Sequence, residues 1–192
     1  LNARIAAVIS DKPNAFGLQR AESASIPTHV LSRKLYPSRK AFDAGIQHCI
    51  TDYQPDLVIL AGFMRILGPE IVEAFSHKML NVHPALLPKY PGLNTYERVL
   101  AAGDKYHGST VHIVTKDCDA GPSIAQVRTE VRKNETLQSL EQRVKLLEQS
   151  LYLHVIQCFA EQRVQLVDDR VSLDGTVLPE TGKIFDETDA LF

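Results

Sequence analysis

The sequence is poor in cysteine and in long apolar runs, and each shortage excludes a class of protein. Its three cysteines, Cys49, Cys118 and Cys158, form no C-x-x-C pair, which argues against a disulfide framework and against a zinc site. We therefore expect reduced thiols in a cytosolic, cytoplasmic protein. The longest apolar run covers residues 57–64, far fewer than the roughly 20 residues that span a bilayer. No membrane partner is expected.

The sequence also lacks an excess of charge of either sign. Its 21 Lys and Arg and 23 Asp and Glu give a formal net charge of −2, whereas nucleic acids and anionic membranes attract proteins with a positive excess. We therefore expect small-molecule substrates and no nucleic acid. A hydrophobic content of 44% and a length of 192 residues are typical of one globular domain.

The start of the sequence lacks both an initiator methionine and the layout of a signal peptide. Residues 4–10 have the apolar character of a buried strand. We therefore expect that the natural N-terminus lies upstream of Leu1.

Short β-branched runs alternate with segments of helical spacing, which predicts an α/β fold. The expected architecture is a doubly wound, mostly parallel twisted sheet with helices on both faces and a C-terminal β-hairpin. Strands are predicted at residues 4–10, 28–31, 56–61, 79–83, 109–115 and 123–132, and helices at 15–24, 38–53, 69–77, 95–102 and 136–161. Ser38 and Thr136 are predicted N-caps.

Three segments carry more specific predictions. Residues 56–61 are almost wholly apolar, which predicts a central strand covered on both faces. Residues 123–132 alternate polar and apolar side chains, which is typical of an edge or half-exposed strand. Asp174 and Gly175 stand between two short β runs and predict a type I′ hairpin.

Asn81 and His83 are the first candidate functional residues. They lie two positions apart on a predicted strand, so their side chains share one face, at the carboxyl end where open α/β sheets bind ligands. A pair of polar residues that merely caps the strand is an equally weighted alternative. The Pro-rich segment 84–92 follows directly, and an ordered irregular loop in this place favours a site.

Asp119 and the histidines are weaker candidates on spacing alone. Asp119 begins an Asp-Ala-Gly-Pro turn, in which an aspartate is usually a turn former. His112 alternates with apolar neighbours on its strand and is ambiguous. The surface or the core is the expected place of four further histidines, His29, His48, His77 and His154.

The predicted helix 136–161 contains one anomaly. At 100° per residue, Glu148 falls inside the apolar stripe, where a carboxylate needs a partner. Lys145, three positions earlier, could form an ion pair with Glu148 at the border of the stripe. The alternative is a polar contact with a ligand hydroxyl or phosphate.

Four segments together resemble a known family. They are Ala61-Gly-Phe-Met-Arg-Ile-Leu67, Leu80-Asn-Val-His-Pro-Ala-Leu-Leu-Pro-Lys-Tyr-Pro-Gly92, His107-Gly-Ser-Thr-Val-His112 and Asp119-Ala-Gly-Pro122. In this order they are similar to the folate-dependent formyltransferases, and within them to the phosphoribosylglycinamide formyltransferases. The resemblance covers almost the whole chain.

The resemblance implies a catalytic set of Asn81, His83 and Asp119. It implies transfer of a formyl group from 10-formyltetrahydrofolate, the cosubstrate, to the amine of phosphoribosylglycinamide in purine biosynthesis. A tetrahedral intermediate would place its oxyanion against the Asn81 amide and protonated His83, and His83 with Asp119 would transfer the proton. No metal is required for this chemistry.

The resemblance also implies the binding residues. Folate would lie against Met64, Arg65 and Leu67 and against the backbone of a segment that begins at Thr115 and ends at Cys118. Arg39 would meet the glutamate carboxylate of the folate. Lys145 and Glu148 would contact the ribonucleotide. The segment that begins at Thr115 consists of Thr115, Lys116, Asp117 and Cys118.

Two departures from the family pattern stand out. The family has a Gly-x-Gly-Ser-Asn loop that holds the substrate phosphate, and this sequence has none. We therefore expect that the first strand, this loop and a helix, about 25 residues in all, lie upstream. Asn94 and Tyr96 stand where some members carry histidines, so the roles of these two residues stay open.

Several alternatives stay open on sequence alone. The same chemistry with water in place of the amine would make the chain a formyltetrahydrofolate hydrolase. A non-catalytic folate-binding or nucleotide-binding module is a second alternative. A dinucleotide-dependent dehydrogenase is disfavoured because no G-x-G-x-x-G motif follows a predicted strand. We expect a monomer or a weak homodimer, either free-standing or part of a multifunctional chain.

Overall fold

A computed structural model describes residues 2–167 and 170–189 and is built around a mixed five-stranded sheet. The described part of the chain contains ten strands in all, of which five form this sheet. The ten strands are β1 (Val8–Ser10), β2 (Thr28–Val30), β3 (Val58–Leu60), β4 (Met79–His83), β5 (Tyr106–Ile113), β6 (Ser123–Glu130), β7 (Val164–Val167), β8 (Arg170–Leu173), β9 (Thr176–Val177) and β10 (Lys183–Asp186). Its α-helices are α1 (Phe16–Ser23), α2 (Arg39–Thr51), α3 (Pro69–Ala74), α4 (Thr95–Ala102) and α5 (Leu137–Ala160).

The central sheet has the strand order β10-β6-β5-β4-β3. β3 runs parallel to β4 and β10 runs parallel to β6, whereas β5 is antiparallel to both of its neighbours. Four of its five strands therefore share one direction, as predicted. Strands β7, β8 and β9 form a separate antiparallel sheet. Asp174 and Gly175 both have positive φ, as a type I′ turn requires, so the hairpin is confirmed.

Helices cover both faces of the central sheet, which confirms the predicted layering. Met79 and Leu80 are neighbours on β4, both are fully buried, and their side chains point to opposite faces. Leu80 packs in a core with Leu151 of α5. Met79 packs in a second core with Phe42 of α2 and Ile71 of α3.

Two strand predictions were wrong about burial. Within the described ranges β3 is the last strand of the sheet, and Ile59 remains 37% exposed, so residues 56–61 are not covered on both faces. Val58 and Leu60 pack on the core formed by α2 and α3, and this one buried face accounts for much of the apolar character. Residues 4–10 are also not a buried strand, because only β1 is extended in a strand, half-buried and paired with β2.

β6 is the opposite case, since it was predicted to be an edge or half-exposed strand. It lies between β10 and β5, and residues 123–127 are buried. Its polar side chains have partners inside the protein. Gln126, for example, is 3% exposed and donates from Nε2 to the carbonyl of Leu87 at 2.6 Å. At Gln126 the polar alternation therefore marked a buried hydrogen bond and not contact with water, whereas at the end of the strand Arg128 is half-buried and Glu130 is exposed, as predicted.

The caps of the two longest helices lie where the sequence predicted them. Ser38 Oγ accepts from the backbone N of Ala41 at 3.1 Å, and Thr136 Oγ1 accepts from that of Ser139 at 3.2 Å. Each satisfies a backbone donor in the first turn. Of the helices in the described ranges, none combines the length and apolar character needed to cross a bilayer.

Tyr152 ties α5 to β3 and to β4. Its hydroxyl lies 3.0 Å from the carbonyl O of Leu60 and 2.9 Å from that of Leu80. Burial raises the pKa of this phenol well above its usual value. The hydroxyl therefore stays protonated and acts as a donor to the sheet.

Replacing Tyr152 with Phe removes this donor and leaves the ring in place. Because the carbonyl of Leu80 stays buried without this donor, we expect the free energy of unfolding to fall by about 1–2 kcal/mol. Urea denaturation of both proteins measures the difference. An unchanged denaturation midpoint would contradict the role assigned to the hydroxyl.

Candidate active site

The site is built on the second half of β4. Asn81 and His83 lie two and four positions after Met79 on the same strand, so all three side chains point to one face. This is the face covered by α2 and α3. The antiparallel register places His112 of β5 opposite Asn81 and Thr110 opposite His83. Directly opposite residues share a face, so the sheet itself brings two further polar side chains to this place.

Asp119 reaches the same place from the turn after β5. Its backbone has a φ of 53°, and the turn lies tightly against the strand. A Cβ added to Gly121 would lie 1.8 Å from the carbonyl O of Ile113, so only glycine fits there. Asp119 Oδ2 lies 3.4 Å from His83 Nδ1, and Oδ1 lies 3.7 Å from His112 Nε2. The structure therefore brings Asn81, His83 and Asp119 together.

The hydrogen bonds of His83 leave one ring nitrogen for a ligand. Nε2 lies 2.8 Å from the carbonyl O of Tyr90, and since a carbonyl only accepts, Nε2 carries a proton. Nδ1 faces Asp119 at 3.4 Å, longer than the about 2.7–2.9 Å of a tight charged hydrogen bond. Nδ1 is therefore free to turn its hydrogen bond toward a substrate atom.

His112, which the sequence left ambiguous, orients Asn81. Its Nδ1 lies 3.0 Å from the carbonyl O of Ile113 and must be the protonated nitrogen. Burial lowers the pKa of His112, although the backbone hydrogen bond and the charge of Asp119 oppose this shift. The neutral ring thus accepts at Nε2 from Asn81 Nδ2 at 3.2 Å, which leaves the second amide hydrogen of Asn81 for a ligand.

The two oxygens of Asp119 have different surroundings. Oδ2 accepts from the backbone N of Gly92 at 2.8 Å and lies 3.4 Å from Cys118 Sγ. In the described ranges Oδ1 has no comparable donor. It lies 3.7 Å from His112 Nε2, whose lone pair already accepts from Asn81. Oδ1 can therefore accept from a ligand group that carries protons.

The loop of residues 84–92 is ordered by side chains of the sheet, as predicted. Thr110 Oγ1 donates to the carbonyl O of Ala85 at 2.7 Å and accepts from the backbone N of Leu87 at 3.1 Å. Gln126 holds the carbonyl of Leu87. The alternation of residues 123–132 contained the signal for Gln126, which sequence reasoning misread as exposure.

The segment from Met64 to Leu67 lies beside α2. Leu67 is buried in the core formed by α2 and α3, whereas Met64 is 76% exposed. Arg39 donates to the carbonyl O of Ile66, and Arg65 Nε lies 2.8 Å from Asp11 Oδ2. The structure therefore places Arg39 next to the segment from Met64 to Leu67, which the family resemblance also assigned to the folate.

The second predicted folate-binding segment follows β5. Thr115 Oγ1 donates to the carbonyl O of Asp117 at 3.2 Å, Lys116 forms an ion pair with Glu73 at 3.2 Å, and Cys118 is exposed. Burial and the charge of the neighbouring Asp119 raise the pKa of the Cys118 thiol. This segment leads directly into Asp119. Its start adjoins the core that contains Leu67.

Lys145 and Glu148 do not form the ion pair that the sequence allowed. Lys145 Nζ instead lies 2.9 Å from Glu141 Oε1, one helical turn away. Glu148 Oε2 accepts from Ser109 Oγ at 3.2 Å. Burial raises the pKa of Glu148, and the hydrogen bond from Ser109 and the charge of Lys145 oppose this shift.

Glu148 lies on the other face of the sheet from Asn81, His83 and Asp119, the predicted catalytic set. Ser109 precedes Thr110 on β5, so its side chain points toward α5 and away from His83. A ligand that touches both Glu148 and His83 must therefore pass the end of β4. Tyr96 belongs to the same face as Glu148, where its ring centroid lies 5.0 Å from that of His107.

His107 is a buried imidazole that sequence reasoning missed. It is 1% exposed, and its Nε2 is buried without a hydrogen-bond partner in the described part of the chain. Burial, followed by the nearby charge of His83, lowers the pKa of His107 to about 4, against the opposing charge of Asp104. The residue therefore stays neutral at pH 7.

The arrangement as a whole defines a class of protein. An amide with a free donor, an imidazole with a free ring nitrogen and a carboxylate with a free oxygen meet at the end of a strand in an α/β sheet. Such groups can hold a developing oxyanion and transfer a proton. The site is that of an α/β enzyme that transfers a carbonyl carbon between nucleophiles.

Comparison with known proteins agrees with this class. The family model described as formyl transferase matches residues 1–156. Phosphoribosylglycinamide formyltransferase of Escherichia coli is 44% identical over 95% of this chain and 86% of its own, and that of Haemophilus influenzae is 42% identical over 94% and 85%.

A solved structure of the phosphoribosylglycinamide formyltransferase of Coxiella burnetii superposes with a TM-score of 0.91 at 47% identity. It covers 95% of this chain and 86% of its own. The chain therefore belongs to the formyl transferase family.

The neutral state of His107 makes stability depend on pH. Between pH 6.5 and pH 4 the unfolded chain binds a proton at this residue and the folded chain does not, so stability falls as the pH falls. The loss in the free energy of unfolding that is attributable to His107 reaches about 3 kcal/mol at pH 4.

His107→Phe keeps the ring contact with Tyr96 but cannot bind a proton. We expect it to reduce the slope of the free energy of unfolding against pH, by an amount equivalent to at most one bound proton. Urea denaturation at several pH values measures the slope. The exposed His48→Phe is the matched control and should leave the slope unchanged. Equal slopes in all three proteins would show that His107 is not held neutral.

Proposed function

We propose that this chain transfers the formyl group of 10-formyltetrahydrofolate to the amine of phosphoribosylglycinamide in purine biosynthesis. The observation that carries the proposal is the meeting of Asn81, His83 and Asp119, each with one polar atom left for a ligand. The family membership and the names of the similar enzymes support the choice of substrates. The free cysteines support a reducing compartment such as the cytoplasm, and we keep monomer or weak homodimer as the expected state.

Asn81 and His83 are assigned to the oxygen of the formyl group. Attack by the amine turns the formyl carbon tetrahedral and places negative charge on that oxygen. The second Asn81 amide hydrogen can then donate to it. Nδ1 of His83 can donate as well when the ring is the imidazolium, with a proton on each nitrogen, as the family resemblance implies. Because both side chains are already fixed by His112 and by the carbonyl of Tyr90, little reorganisation is needed as the charge develops.

Asp119 is assigned to proton transfer. The attacking amine gains positive charge and must lose a proton, and Asp119 Oδ1 is the carboxylate oxygen that no protein donor occupies in the described ranges. The leaving nitrogen of the folate must gain a proton. A carboxylate beside an imidazole lets the proton taken from the amine be returned to the leaving nitrogen. Bonds made and broken then balance without another reactant.

The proposed binding residues form two groups, one for each substrate, around Asn81, His83 and Asp119. Folate is assigned to the segment from Met64 to Leu67 with Arg65, to the segment from Thr115 to Cys118, and to Arg39 for its terminal carboxylate. The ribonucleotide is assigned to Lys145 and Glu148. Its amine would reach Asp119 by passing the end of β4.

An assay that follows loss of the formyl group tests the proposal. We expect transfer only when both substrates are present. Asn81→Ala should lower kcat by about 100- to 1000-fold through loss of an oxyanion donor, and His83→Ala and Asp119→Ala by about 100- to 10,000-fold. Circular dichroism should show an unchanged fold.

Three outcomes would overturn the proposal. Formate released without the ribonucleotide would assign the chain to hydrolysis. Calorimetric binding of the folate alone, with no turnover, would assign it to a binding module. Full activity in His83→Ala would remove the mechanism.

Glu148 provides a separate test of the nucleotide side. If its carboxylate accepts from a ligand hydroxyl, Glu148→Gln should raise the KM for phosphoribosylglycinamide about tenfold and leave the KM for the folate unchanged. Gln138→Ala, at an exposed position of the same helix, is the control and should change neither constant. An equal effect of the two substitutions would refute the assignment.

A further inference from the structure

The backbone of the loop after β4 is part of the catalytic machinery. Tyr90 offers its carbonyl O to His83 Nε2 at 2.8 Å, and Gly92 offers its N–H to Asp119 Oδ2 at 2.8 Å. A shift of these two peptide groups would move the imidazole and the carboxylate together. The groups that fix residues 90–93 therefore decide the geometry of both side chains.

We propose that Arg98 of α4 is a positioning residue for formyl transfer, acting on His83 and Asp119 through the backbone of residues 90–93. Its Nη1 donates to the carbonyl O of Pro91 at 2.7 Å and approaches that of Leu93 at 3.4 Å. Its guanidinium carbon lies 5.1 Å from the centre of the Tyr90 ring. One side chain thus contacts residues on both sides of Gly92.

On one side the loop borders a cavity of about 420 Å³, which residues 86–90 line together with residues of β5, β6 and β10, so packing is incomplete there. On another side the Tyr90 ring packs against the core of Val99, Leu140 and Val144. The first half of the loop is nevertheless fixed from the sheet by Thr110 and Gln126. The second half, which carries the two catalytic contacts, is beyond the reach of those side chains.

α4 supplies the anchors of the second half. Asp104, just after the helix, accepts at Oδ2 from Lys89 Nζ at 2.8 Å and from the Tyr90 hydroxyl at 3.0 Å. These contacts fix the side chains of the loop. Arg98 differs from Asp104 because it binds the backbone carbonyls themselves. Its bond to the Pro91 carbonyl acts on the same peptide group that carries the Gly92 N–H, which donates to Asp119.

Chemistry explains why arginine suits this position. A planar guanidinium can donate to carbonyl groups in its plane while its face stacks on an aromatic ring. A lysine ammonium has a single charged centre and cannot do both in the same way. The side chain of Arg98 is exposed, so its replacement should leave the core of the protein intact.

Kinetics of Arg98→Ala test the proposal, which rests on the proposed function. We expect kcat to fall about 10- to 100-fold, since small displacements of catalytic groups have effects of this size, and both KM values to stay within about threefold. Arg98→Lys should fall between wild type and alanine. The matched control Glu97→Gln, exposed on the same turn of α4, should retain the wild-type kcat.

Proton NMR gives a second readout that does not need activity. The proton on His83 Nε2 is buried and hydrogen-bonded to Tyr90, so it should exchange slowly with water and give a resolved signal, assigned by its absence in His83→Gln. Arg98→Ala should broaden or remove this signal. Glu97→Gln should keep it.

The outcomes separate this inference from the proposed function. A kcat within twofold of wild type in Arg98→Ala would overturn the inference, as would a lower kcat with an unchanged His83 signal. If the wild-type chain transfers no formyl group, the proposed function fails, and the NMR signal still decides whether Arg98 positions His83. Retention of that signal in both Arg98 variants would then reject the positioning role.

Discussion

The site depends on the burial of an imidazole beside a carboxylate. The side chains of His83 and Asp119 are only 6% and 11% exposed, and a buried pair of this kind is stable only when further hydrogen bonds satisfy its remaining atoms. The carbonyl of Tyr90 and the N–H of Gly92 supply them. An irregular loop rich in proline therefore follows β4 because a regular strand or helix would use these backbone groups for itself.

The mixed sheet supplies the rest of the site. Because β5 runs antiparallel to β4, His112 lies directly opposite Asn81, and the turn that leaves β5 carries Asp119 back over the same face. Tyr152 fixes β3 to β4 from the other face. The central strands thus act as a rigid base that carries Asn81 and His83, and the following loops bring Asp119 and the backbone of residues 90–92 to them.

Much of this arrangement was predictable from the sequence, and what was missed has common causes. Helix caps at Ser38 and Thr136, the bounds of β4 and the hairpin at Asp174 depend on local residue preferences, which a single sequence displays. The place of β3 at the end of the described sheet and the burial of β6 depend on which strands pair, which local patterns do not contain. Gln126 looked exposed because its partner, the carbonyl of Leu87, lies 39 residues away.

The site shows the same division. Asn81 and His83 were predicted as site residues from their spacing and Asp119 from resemblance, whereas His112 and His107 were not assigned. An imidazole on a strand looks the same in the sequence whether it faces an amide, a tyrosine ring or water. Only the register of β4 with β5 distinguishes these cases.

The central claim is that His83 and Asp119 act as one unit on a single reacting carbon. A double-mutant cycle with His83→Ala, Asp119→Ala and the combined variant measures this coupling in kcat/KM for formyl transfer. Residues that act as a unit have strongly non-additive effects, so we predict that the combined variant loses no more than about tenfold beyond the worse single variant. A loss in the combined variant equal to the product of the two single losses would contradict the account.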